Sequence, residues 1–392
     1  MLNLSPYDTD RVSEHLVSLR RELHAHPEVG FTEEWTSAFV RRRMEAAGLP
    51  VRSIAGTGLL ATLTGGKTGP TVLIRAELDA LPIHETTDRP YRSQIDGVMH
   101  ACGHDAHMAI AITVAERLAE IQEEIRGTIK FAFQPAEEIA GGAKQMVEEG
   151  ALEDPPVDRS LALHVWQDLP VGVVGVTSGP FWAAVDDLTF TVHGKSGHGA
   201  MPHQTVDAVV VASQIVTALQ TVVSRTRAPF APAVLTIGSI HGGTAWNIIA
   251  DRVEMRGTLR TFDRAVRERL LDQLTRIAQG IAASMEASCE VEDRYGAPPV
   301  VNDPDLAVLT RDAILAVMSE EHVVVSEPSA GGDDFAYFAQ SNPGCLFVVG
   351  SANPPRGLDK GHHNPAFDID EACLPIAAAS LDAVLRRFTE EA

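Results

Sequence analysis

The run Met99-His100-Ala101-Cys102-Gly103-His104-Asp105-Ala106-His107 gathers a thiol and several imidazoles between a glycine-containing loop and a helical stretch. Cys102 and His104 lie two apart, so in an extended segment they share a face, and Asp105 is placed to cap the helix that begins there. A thiolate and an imidazole converging at a strand or loop end suit zinc or a similar transition metal. Alone, the run equally describes a packed cysteine beside a surface histidine.

Further stretches carry related chemistry. Phe131-Ala132-Phe133-Gln134-Pro135-Ala136 reads as a buried strand running straight into Glu137 and Glu138. Adjacent side chains of an extended chain diverge, so one carboxylate can bind metal while its neighbour handles a proton. The plain alternative is a pair of first-turn acids favoured by the dipole of a following helix. Leu161-Ala162-Leu163-His164-Val165-Trp166 sets an imidazole in an apolar strand, which also describes a hydrogen-bonded core histidine. Gly361-His362-His363-Asn364-Pro365 lies in a loop before the last helix. Each is weak by itself, but all fall at strand ends or loops of one sheet, where their side chains can converge. Gly66-Lys67-Thr68 looks like the end of a phosphate-binding loop, yet Ala61 stands where its first glycine belongs and a strand follows, so a nucleotide enzyme is not expected.

The elements that must position these residues follow from periodicity. Residues 10–50 read as helical, with Thr32-Glu33-Glu34 as a start signal and Gly48 and Pro50 as a stop. Short apolar strands at 59–63 and 71–75 flank a turn-rich segment. A helix over 105–123, a strand at 127–133, a helix at 141–149 and strands at 159–165 and 172–177 continue the alternation. This predicts an α/β layer with a mostly parallel sheet and a site at the strand ends. Residues 185–294 change the order to strand, helix, strand, strand, helix, strand, the split βαβ pattern of ferredoxin-like domains. Alternation resumes with a helix at 303–319, a strand at 345–349 and a helix at 371–388. The reading is a catalytic domain of residues 1–184 and 295–392, with an inserted α+β domain of residues 185–294.

A chain of 392 residues exceeds one ordinary core, which agrees with two domains. Hydrophobic residues at 45% and charged residues at 22% place it with globular enzymes rather than disordered chains. The formal net charge of -21 repels phosphates and anionic lipid, so neither nucleic acid nor a membrane is an expected partner. The first twenty residues, with Asp8, Asp10 and Glu14, lack the apolar stretch of a secretory leader, and no window is read as a membrane span. Cys102, Cys289, Cys345 and Cys373 lie far apart with no CxxC pair, and a reducing cytoplasm is the expected compartment.

Taken in order, Arg21-Glu22-Leu23-His24-Ala25-His26-Pro27-Glu28, Arg75-Ala76-Glu77-Leu78-Asp79-Ala80-Leu81-Pro82-Ile83, the Cys102/His104 run and Gln134 to Glu138 resemble the M20 metallopeptidase family. The fit is nearest its amidohydrolase branch, the hippurate, N-acyl-amino-acid and auxin-conjugate hydrolases. It continues through Gly197-His198-Gly199-Ala200-Met201-Pro202-His203, Asn247-Ile248-Ile249 and Gly332-Asp333-Asp334-Phe335-Ala336, and so spans nearly the whole chain.

The resemblance implies a zinc-exopeptidase type catalytic domain with two divalent ions, zinc or manganese first, cobalt or nickel also compatible. Cys102 would bridge them, His104 and His164 completing one site and Glu138 and His363 the other; His363, rather than His362, directly precedes a small polar residue and Pro as the family's ligand does. The family often carries HxD on the early strand, whereas Glu77-x-Asp79 stands here. His104 then takes over as ligand, and Asp79 orients a ligand. The implied reaction is hydrolysis of the amide of an N-acyl amino acid by metal-activated hydroxide, with Glu137 as general base and then acid. His198 on the insertion would steady the oxyanion, in the partner's site of a homodimer joined through that insertion, and Asn247 and Arg260 would bind the substrate carboxylate. For Arg260 a plain surface strand residue is the competing reading. The alternatives are a dipeptidase or carboxypeptidase with the same metals, or a non-catalytic protein stabilised by metal.

Overall fold

The structure is a computed structural model that describes residue 7 and residues 9–390. The opening residues of the N-terminal segment, read above for a leader, lie outside them. By its internal contacts the chain divides into a larger unit, running up to Gly179 and then through Val301–Glu327 and onward from Asp334, and a smaller one, Pro180–Val300 with Pro328–Asp333.

The first stretch of the larger unit opens with α1 (Asp10–Ala25) and α2 (Glu34–Ala46), two helices where the pattern read as one helical region. His26-Pro27 ends the first, because proline cannot continue a helix through its predecessor. There follow β1 (Val51–Ile54), β2 (Gly58–Thr64), β3 (Lys67–Glu77), α3 (His104–Glu120), β4 (Arg126–Gln134), α4 (Gly142–Glu148), β5 (Arg159–Pro170) and β6 (Val174–Gly175). The smaller unit supplies β7 (Gly179–Trp182), β8 (Ala184–His193), β9 (Gly197–His198), α5 (Ala208–Thr221), β10 (Ala233–Gly242), β11 (Ile248–Ile249), β12 (Arg252–Thr261), α6 (Arg264–Ser284) and β13 (Ser288–Ala297). The chain closes through β14 (Val300–Asn302), α7 (Pro304–Leu315), β15 (Val323–Val324), α8 (Ala336–Ser341), β16 (Gly344–Ala352) and α9 (Cys373–Glu390).

Eight strands of the larger unit form one sheet in the order β1-β2-β4-β3-β5-β16-β6-β15. Its centre, β4-β3-β5-β16, is parallel, while β1, β2 and β6 pair antiparallel. Central strands covered on both faces read as continuous apolar runs. Accordingly every residue of β16 is buried, and so is every residue of β4 after Arg126. The register Glu77↔Gln134 brings β3 and β4 to an end side by side, so the loops bearing Asp79 and Glu137-Glu138 leave from neighbouring strand ends. β5 lies against the other side of β3 and carries His164.

The smaller unit holds an antiparallel sheet, β10-β12-β8-β13, with its own core. That order, with α5 following β8 and α6 following β12, is a ferredoxin-like βαββαβ arrangement. Both helices bury one stripe: Ala208, Val211, Ala212, Ile215 and Leu219 on α5, and Leu270, Leu274, Ala278 and Ala282 on α6. The expectation that no window reads as a membrane span is overturned here. The helical run Ala208–Thr226 does have the length and composition of a membrane span, with mean hydropathy 1.4. Its buried stripe packs in the core of this unit.

Candidate functional site

Gly103 stands at φ 89 as the N-cap of α3, so the chain turns sharply between Cys102 and His104 rather than running extended. The turn still joins them: ligand atoms of Cys102, His104 and Glu138 all lie within 4.8 Å of one another. Asp105 does not cap α3, contrary to its expected part. Its Oδ2 instead accepts from Arg20 Nε at 2.7 Å and His24 Nδ1 at 2.8 Å, because a buried guanidinium needs a carboxylate more than a helix end does.

The hydrogen bonds fix the tautomers. His104 Nδ1 donates to the Asp79 carbonyl at 2.8 Å, and His164 Nδ1 to the Val165 carbonyl at 2.6 Å. A carbonyl only accepts, so each Nδ1 carries a proton and Nε2 is the ring nitrogen turned toward the neighbouring ligand candidates. His164 Nε2 lies 3.6 Å from Cys102 Sγ, and His363 Nε2 lies 3.3 Å from Glu138 Oε2. Two ligands on one tetrahedral metal stand roughly 3.3–3.8 Å apart for bonds of about 2.0–2.3 Å. Between these pairs, His104 Nε2 and Glu138 Oε1 face each other at 3.9 Å, both buried and neither hydrogen-bonded. Leaving such atoms unmatched costs on the order of 1–3 kcal/mol each, and a cation between them satisfies both. The donor set therefore fits divalent metal.

The electrostatics agree. Burial, with Glu138 beside it, pushes the Cys102 thiol well above its ordinary value, so a thiolate there needs a cation next to it. Burial alone would discharge His104, yet Glu77 and Asp79 hold its pKa well above the usual range, which marks a place that favours positive charge. His164 is kept neutral by burial and by His107 and His362 beside it.

Of the two neighbouring histidines, His363 faces Glu138. His362 is turned away: its ring stacks on Trp166 at 4.8 Å and its Nε2 accepts from the Gln167 N–H at 3.3 Å. Glu137 sets Oε2 3.9 Å from His104 Nε2, with its side chain 11% exposed. Asp79 touches both neighbours, its Oδ2 accepting from the Glu138 N–H at 3.0 Å and its Oδ1 lying 3.4 Å from His104 Nδ1.

Sequence reasoning missed what lies beneath. His107 donates from Nδ1 to Glu77 at 2.8 Å and accepts at Nε2 from the Val165 N–H at 2.9 Å, so it props the strand that carries His164. Arg75 pairs with Glu77 and Asp334, and Gln134 donates to Asp334 at 2.6 Å. The available signal was the i,i+3 spacing of His104 and His107, which puts both on one helix face.

In the smaller unit, His198 and Asn247 come together. His198 is exposed on β9, opposite Ile248 of β11, and the Gly199 N–H donates to the Asn247 carbonyl at 2.8 Å. Arg260 lies apart on β12, half-buried, between Val185 and Val234, with Nη1 unmatched. Phe181 and Trp182 are buried.

The model of peptidase family M20/M25/M40 matches residues 73–387. The chain belongs to this family. Like its M20 relatives it is a hydrolase acting on amide bonds. It is 39% identical to an N-acetyl-L-cysteine deacetylase of Bacillus subtilis, over 98% of this chain and 91% of the relative. A thermostable carboxypeptidase of Saccharolobus solfataricus is 36% identical, over 98% of both chains. Among solved structures, a Bacillus subtilis protein described as a dinuclear metal binding M20 peptidase superposes with a TM-score of 0.84 at 35% identity, covering 97% of this chain and 99% of that one.

Proposed function

We propose that this M20 chain is a two-metal amidohydrolase that releases amino acids from N-acyl amino acids. Cys102 would bridge the ions, with His104 and His164 on one and Glu138 and His363 on the other. One observation carries the reading: His104 Nε2 and Glu138 Oε1 are buried, unbonded and 3.9 Å apart, with the Glu137 carboxylate 3.9 Å from the same nitrogen. The bound ions would acidify water towards a pKa of about 7 and polarise the amide carbonyl. Glu137 takes the proton of the attacking water and hands it to the departing nitrogen, its position beside the ligands giving it reach to both. Asp79, bonded to Glu138 and close to His104, holds the two in place.

His198 is proposed as the donor that steadies the oxyanion, and Asn247 and Arg260 as the grip on the substrate carboxylate, Arg260 through its unmatched Nη1. A homodimer through the inserted unit is proposed with them, His198 serving the partner's site. Support comes from β10, a sheet edge with exposed Val234 and Ile240. A cytoplasmic setting is supported by four unpaired cysteines. Zinc and manganese are the proposed ions.

The carboxypeptidase reading has one point in its favour, the relative of that name. Hydrolysis of N-acetyl and N-benzoyl amino acids, measured beside dipeptides and beside the same acyl compounds with an amidated carboxylate, separates the two. Preference for the acyl acids with a free carboxylate supports the proposal; preference for dipeptides overturns it.

A further inference from the structure

Glu33 occupies the N-cap of α2, where a carboxylate ordinarily accepts from the first free helix amides. It does not do so here. Glu28 has taken that work, accepting from the Trp35 N–H at 3.1 Å and from the Thr36 N–H and hydroxyl at 2.9 Å. The Glu33 side chain is left to turn inward, and the residue is fully buried.

It reaches the loop after β4. Oε1 accepts from the Ala136 N–H at 2.9 Å, and Oε2 from the Thr57 hydroxyl at 2.5 Å. Ala136 is left-handed at φ 52 and Ala140 at φ 51, so residues with a Cβ bracket Glu137-Glu138-Ile139 in a conformation that L side chains rarely adopt. The loop closes on itself through Ala140 N–H to Glu137 O at 2.7 Å and Gly141 N–H to Ala136 O at 3.1 Å. Such a turn persists only where its surroundings over-determine it. Asp79 holds it at the Glu138 N–H. Gly30 lies so near that a Cβ there would meet Ala136 Cα at 2.9 Å.

We propose that Glu33 is a positioning residue for the reaction: its carboxylate holds Ala136 in the left-handed turn that aims Glu137 and Glu138 into the site. The idea rests on the roles given to those two glutamates above. Glu33 touches neither substrate nor metal and acts through the loop alone. Because glutamine can accept from Ala136 with its amide oxygen and donate to Thr57 with its nitrogen, the charge itself is dispensable while the geometry is not.

The test compares the parent full-length protein with Glu33→Ala and Glu33→Gln, each stripped of metal and titrated with Co2+ against a competing chelator, with kcat and KM measured after reloading. Glu33→Ala should lose about 10–100-fold in kcat with KM within about twofold, and should bind one Co2+ weaker by a similar factor. Glu33→Gln should recover most of both. Should Glu33→Ala not fold, Glu33→Asp, one methylene too short to reach Ala136, takes its place with the same expectation. Parent-like Co2+ affinity and kcat in the short variant, or equal damage in Glu33→Gln, overturns the proposal. A Glu138→Ala control that leaves Co2+ affinity unchanged removes the underlying assignment instead, and this proposal with it.

Discussion

Histidines in this chain are sorted by what their Nδ1 donates to. His104 and His164 give it to main-chain carbonyls and turn Nε2 toward Glu138 and Cys102, whereas His107 spends both nitrogens on Glu77 and Val165. His107→Ala should therefore act on stability first, leaving a buried carboxylate oxygen and a buried amide unmatched at about 1–3 kcal/mol each. A lowered urea midpoint, with metal retained better than in His164→Ala, is the expected result; equal metal loss would make His107 a ligand. Glu137→Gln should keep its metal and lose about 10²–10⁴-fold in kcat, which metal analysis and steady-state kinetics read together. That Cys102, His104 and Glu138 come together was legible from their residue types and from Glu137 and Glu138 following a strand, though it is the turn at Gly103 and not an extended run that joins the first two. The part played by Glu33 was not, since its partner amide lies 103 positions along the chain.

At the level of elements, the turn at Gly103 starts α3 and packs on β5. A Cβ on Gly103 would fall 2.4 Å from Val165 Cγ2, and the residue already stands at φ 89. Gly103→Ala should cost about 1–2 kcal/mol for the left-handed backbone alone, plus a push on the middle of β5 beside His164. A lower thermal midpoint and weaker metal retention are expected together; loss of stability with unchanged metal binding would uncouple the turn from the site. Strands with apolar runs were readable, as β4 and β16 show, because burial on both faces leaves few polar residues in them. The four-residue β1 escaped notice because its burial is partial and its pattern short. Asp105 shows the opposite failure, a good capping residue drawn off by a distant arginine.

Across the larger unit, one buried ionic network ties α1 to the loop over residues 84–97 and to the approach to α9. Arg20 donates to Asp105, Asp368 and Glu371, Tyr91 donates to Asp368, and His24 lies 3.4 Å from Glu85. Burial alone would raise Glu85, but His24, Thr87 and the Ser93 N–H bring it from an ordinary 4.5 down to about 2. A depressed carboxyl adds stability above its unfolded value, and that contribution fades as the pH falls from 4.5 to about 2. Thermal midpoints measured down this range should fall steeply, and Glu85→Gln should flatten the curve; parallel curves would show that Glu85 has no share in it. The network was invisible in the sequence because its charges come from segments hundreds of residues apart, Arg20 and Asp368 among them. The interrupted alternation, by contrast, shows in order alone that an α+β unit stands inside an α/β one.

In the proposed function, amide hydrolysis needs metal held among Cys102, His104, Glu138, His164 and His363. The most direct measurement is hydrolysis of an N-acyl amino acid by metal-stripped protein during stepwise return of zinc or manganese, with bound metal counted at each step. Activity absent at the start and rising with added ion, up to about two ions per chain, is the predicted result. Activity that persists without metal, or a plateau of bound ion with no hydrolysis gained, would contradict it.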